Sequence, residues 1–76
     1  MTVGNPADFA SACQEAMVAV LDAIAAVGKE RPRLLTTAKS AVGRALHDAH
    51  NSAEWCLADQ LRRGIKDVEA RMRDAA

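Results

Sequence analysis

The chain has 76 residues, of which 50% are hydrophobic but only 3% aromatic, and its ten basic and ten acidic residues cancel to a net charge of zero. That length gives one helical domain over residues 1–76, near the lower limit for unaided folding, with no room for a deep catalytic cleft. The zero balance excludes the overall basicity of a dedicated nucleic-acid binder.

The start, Met1-Thr2-Val3-Gly4-Asn5-Pro6, has no basic region leading into an apolar run, so no signal peptide is expected. Asn5 serves as a helix cap and Pro6 as a first helical residue, where a missing N–H costs nothing. The spacing then predicts a helix over 6–27. Its large side chains, Phe9, Cys13, Met17, Val20, Ile24 and Val27, recur along one face. A second row, Ala12, Ala16, Ala19, Ala23 and Ala26, runs beside it and predicts a close helix–helix seam, assigned here to self-association. This helix carries more apolar surface than one neighbour covers, so it is expected at the centre of the bundle. Its most apolar stretch, Ala16 to Val27, is interrupted by Asp22 and too short to cross a membrane.

Gly28 ends that helix, Lys29-Glu30-Arg31-Pro32-Arg33 forms the turn, and a second helix is predicted over 32–50. It buries Leu34, Leu35, Ala38, Ala41, Val42, Ala45, Leu46 and Ala49. Gly43 in its interior points to a close approach of another helix. Asn51 with Glu54 three residues on resembles a capping box, which favours a third helix over 52–74 packed through Leu57, Leu61, Ile65, Val68 and Met72. The alternative is one long second helix, giving a hairpin that dimerises into a four-helix bundle. The preferred fold is all-α, an antiparallel three-helix bundle that self-associates. Charge is uneven along it: residues 1–28 hold Asp8, Glu15 and Asp22 without a Lys or Arg, leaving all ten basic residues to the remainder.

Four features bear on function. Trp55 lies about 120° around its helix from the apolar stripe, beside Asp59, Arg62 and Lys66. Tryptophan among charges has the composition of an interface anchor, although it would equally cover the Ala-rich seam of its own chain. Cys13, His47, His50 and Cys56 are zinc-ligand types, but their spacing matches no zinc pattern. A buried small hydrophobe, a surface thiol and two solvated histidines account for them better. The basic side chains Arg31, Arg33, Arg62, Arg63, Lys66, Arg71 and Arg73 alternate with Asp59, Asp67, Glu69 and Asp74, so pairs along a helix surface are expected rather than a phosphate-binding face. Ser40 and His47 share a polar face but stand seven residues apart, too far for a base to activate a hydroxyl.

The expected function is therefore non-catalytic, with no cofactor and no metal: a cytoplasmic regulator, adaptor or inhibitor that docks on a partner protein, as a homodimer. Trp55, Asp59, Arg62 and Lys66 form the expected docking surface, joined by Arg31 and Arg33. Two other classes stay open: a nucleic-acid-associated factor using the basic turn and last helix, and a metal- or redox-responsive module built on Cys13, His50 and Cys56.

Overall fold

The computed structural model describes residues 6–75, so Asn5 and its expected capping role lie outside the described residues. Three helices follow one another: α1 (Pro6–Ala25), α2 (Glu30–Asp48) and α3 (Ser52–Ala75). No strand occurs among the described residues, and the bundle measures 44 × 19 × 14 Å. Compared with expectation, α1 stops two residues early and α2 is shifted two residues toward the N-terminus.

The turn between α1 and α2 is closed by a glycine and an arginine. Gly28 takes φ +67°, a left-handed conformation that a Cβ would disfavour. Arg31 folds back from α2: its Nε donates to the Ala23 carbonyl at 3.2 Å and its Nη2 to the Ala26 carbonyl at 2.7 Å. A cation is thereby placed on the negative end of the α1 dipole, where it also satisfies carbonyls left without a helical partner. Pro32 sits in the first turn of α2, where its missing N–H does no harm.

The break before α3 is equally specific. Ala49 is extended, at φ −62° and ψ 131°. Asn51 Oδ1 accepts from the Glu54 N–H at 2.9 Å, while Glu54 Oε1 accepts from the His50 N–H at 2.8 Å. This reciprocal cap starts a new helix. The single long second helix does not form.

Packing corrects the expectation that α1 is central. It is α2 that lies between the others: α1 packs chiefly on α2, α3 also packs on α2, and α1 and α3 touch little. The reason is the alanines. Ala12, Ala16, Ala19 and Ala23 are buried on α1, facing Ala38, Ala41 and Ala45 of α2, which are fully buried. Small side chains on both helices let the backbones approach closely, so the two rows select each other. The alanine seam therefore lies within one chain. It is not free for the self-association assigned to it, and Ala26, at its end, is half-buried.

The core forms two groups. One joins Ala16, Ala19, Ala38, Ala41, Val42 and Ile65, with Val20 and Leu61 against them. The other joins Phe9, Ala12, Ala45 and Ala58, with Cys13, Leu46 and Ala49 alongside. Ile65 is the one large side chain buried almost completely among the described residues. The α3 stripe runs through Ala58, Leu61, Ile65, Val68 and Met72, so Leu57 is turned out to solvent, contrary to expectation. Gly43 is also open to solvent, and a Cβ there would meet nothing within 4 Å. It marks no helix contact. Two ion pairs bridge helices, Arg44 with Glu15 and Lys39 with Glu69, both with substantially exposed side chains. Pairs that exposed contribute only about 0–1 kcal/mol each.

Candidate interaction surface

The large apolar residues of α1 are outside. Met17, Val18, Leu21 and Ile24 are all exposed, with Leu21 at 63% and Ile24 at 51%, as is Val27 just beyond the end of the helix. Of the predicted buried stripe on this helix, Phe9 alone is fully covered, and Cys13 and Val20 are half-buried. At about 100° per residue, Ala10, Met17, Leu21, Ile24 and Ala25 occupy the half of α1 turned away from α2, with Gln14 and Val18 at its edge, where they also line the cleft toward α2. The acidic residues Asp8, Glu15 and Asp22, spaced by seven, run along the α2 side of that edge: Asp22 stands at the border beside Val18, and Glu15 meets Arg44 of α2.

Glu69, paired with Lys39, marks the side of α3 turned to α2. Leu57, Leu61 and Val68 lie roughly 80–120° around from it. Leu57 is exposed, and Leu61 and Val68 are half-buried, so α3 carries a smaller apolar strip of its own.

The docking set predicted from sequence is only partly accessible. Trp55 is 50% exposed and Lys66 is exposed, both on α3. Asp59, expected at the surface, is 7% exposed. Its Oδ1 accepts from Arg62 Nε at 3.0 Å and Nη2 at 2.6 Å, and Arg63 Nε lies 3.0 Å from its Oδ2. The hydrogen bond from Arg62 leads in holding this carboxyl below the usual carboxylate range, helped by the two guanidinium charges and opposed by burial. Asp59 and Arg62 are therefore committed to each other. Arg31 is committed to the end of α1. Arg33 is exposed and 4.0 Å from Glu30, but it stands at the start of α2, whereas Trp55 stands at the start of α3. Successive helices run antiparallel, so the structure puts these two residues at opposite ends of the molecule.

Cys13 and Cys56 are free thiols, the first half-buried and the second exposed. Desolvation by burial pushes the Cys13 thiol up, and the nearby Glu54 carboxylate adds to this. Among the described residues, no group of three or more His, Cys, Asp or Glu side chains is placed to hold a metal ion. A shallow cleft of about 410 Å³ opens between α1 and α2, lined by Ser11, Gln14, Glu15, Val18, Ala19, Asp22, Leu34 and Thr37. Its polar groups are hydroxyls, carboxylates and one amide. Among the described residues no helix is long and apolar enough to cross a membrane. The exposed half of α1 is the feature that sequence reasoning missed. Its signal was the match between the alanine rows of α1 and α2, which turns the large row outward. The chain matches no family model, no curated protein and no solved structure.

Proposed function

We propose that this chain is a non-catalytic protein-interaction module, a small regulator, adaptor or inhibitor that works by presenting helical surfaces to other proteins. The observation that carries the reading is an inversion of the usual distribution. Met17, Val18, Leu21, Ile24, Val27, Trp55 and Leu57 are exposed, while eight of the twelve buried hydrophobic residues are alanines. Large contiguous apolar surface on a small helical domain is the signature of a docking site. Trp55 with Lys66 supplies a second surface on α3, where a tryptophan would anchor and a lysine would orient a partner.

The paired cations support this reading over nucleic-acid binding. Arg62 and Arg63 meet Asp59, Arg71 meets Asp67, Arg44 meets Glu15 and Lys39 meets Glu69. Charges neutralised by neighbouring carboxylates gain little by displacing counterions from a phosphate backbone. We place the protein in a reducing aqueous compartment such as the cytoplasm, where Cys13 and Cys56 stay thiols.

The test is affinity capture with the intact chain and with Trp55→Ala and Leu21→Asp variants, each first shown to keep its helical circular dichroism. The expected result is a protein retained by the native chain and released by one of the two substitutions. Retention indifferent to both substitutions, or binding to nucleic acid that collapses steeply with salt, would overturn the reading.

A further inference from the structure

We infer that the outer face of α1 is covered by a second copy of the same chain, paired α1 to α1 about a two-fold axis. The inference rests on the interaction reading above and names the occupant of its largest surface. Three observations point to a second copy. First, extent: the exposed parts of Met17, Val18, Leu21 and Ile24 amount to on the order of 400 Å², and the flanking Ala10, Gln14 and Ala25 bring the face toward the roughly 600 Å² per partner at the lower end of standard interfaces. Second, charge: the outer half of α1 holds no ionisable residue except at its two borders, where the half-buried Cys13 and the exposed Asp22 stand. A two-fold contact sets a surface against itself, so any charge on it would meet or approach its own copy. This face can pair with itself without burying an ion.

Third, long-range electrostatics permit the association. The net charge is zero, so copies do not repel as wholes. Asp8 and Glu15 lie on the α2 side of the helix, Glu15 already neutralised by Arg44, and Asp22 stays at the border of the face. A membrane surface fits less well, because helices that lie on membranes flank the apolar face with Lys or Arg, and α1 has only Asp8, Glu15 and Asp22. With α1 paired, Trp55 and Lys66 on α3 are left for a different protein.

The test is sedimentation of the intact chain over a wide concentration range. The native chain is expected to have the mass of a dimer. Leu21→Asp, at an exposed position that a single chain tolerates, is expected to halve the mass with its helical circular dichroism unchanged. Trp55→Ala is expected to remain dimeric. In a Cys13→Ser/Cys56→Ser background, Leu21→Cys is expected to oxidise to a disulfide-linked dimer, which locates the contact on α1. A monomer at every concentration overturns the inference, as does a dimer that survives Leu21→Asp, or a monomer that binds anionic vesicles through this face. A monomer that nevertheless captures another protein through Leu21 overturns the second copy alone and leaves the interaction reading intact.

Discussion

A buried carboxylate in a core this poor in large side chains has to be held by its own neighbours. Asp59 is held by Arg62 and Arg63 from within the same helix, and no buried side-chain nitrogen or oxygen among the described residues lacks a partner. The sequence spacing showed these arginines as helix-surface partners of Asp59, but it did not show the burial. A carboxylate three and four residues before two arginines looks the same in sequence whether it faces water or a neighbouring helix. The energetic consequence is testable by pH. The carboxyl is held below its ordinary value of 3.8, so it stabilises the fold above that pH and loses this contribution as pH falls through its lowered value. Asp59→Asn is therefore expected to melt lower than the native chain at neutral pH. The difference should shrink below about pH 4, and parallel thermal melts across pH 2–8 check it. A difference constant with pH would mean that shape, not charge, holds this position.

Among elements, α1 and α2 are joined by small residues, and their interface responds to added volume more than to lost volume. Ala23 is fully buried in the seam. Ala23→Leu forces the helices apart and is expected to cost about 1–3 kcal/mol or more, while Ser40→Leu, at an exposed position of α2, should be nearly neutral. Denaturant titration of the two variants separates them. Gly43 lies in the interior of α2 with open space around it. Gly43→Ala is expected to stabilise by about 0.5–1 kcal/mol, which raises Tm by roughly 3–6 °C in a domain of this size. These elements were largely legible in the sequence, because their punctuation is local: Gly28 ends α1, and Asn51 with Glu54 starts α3. Facing was less legible. Both stripes of α1 have helical periodicity, and burial energetics alone favour covering the larger one. The structure follows a different rule: the alanines of α1 meet the alanines of α2, and Met17, Leu21 and Ile24 are left over. The docking residues were misplaced for a related reason. Trp55 and Lys66 are on the surface as read, whereas Arg31 and Arg33 are remote because chain direction alternates between helices.

For the whole molecule, the ratio of exposed to buried large side chains links function to stability. Phe9, Leu35, Val42 and Ile65 are the large hydrophobics buried among the described residues, fewer than the seven that are exposed. Such a core gives a single chain little margin, and covering the outer half of α1 would add burial that the chain does not supply to itself. If a second copy provides that cover, folding is linked to association. Each tenfold rise in protein concentration then adds about 1.4 kcal/mol of apparent stability per dimer. Tm of the native chain is accordingly expected to climb by several degrees per tenfold increase, and calorimetry at three or four concentrations measures this directly. Ile24→Asp supplies the control. Because Ile24 is 51% exposed within one chain, its replacement by a charge should leave the monomer folded. The variant should melt at a fixed temperature whatever the concentration, near the low-concentration limit of the native chain. A native Tm independent of concentration would place the excess apolar surface of α1 against a different protein, or against none.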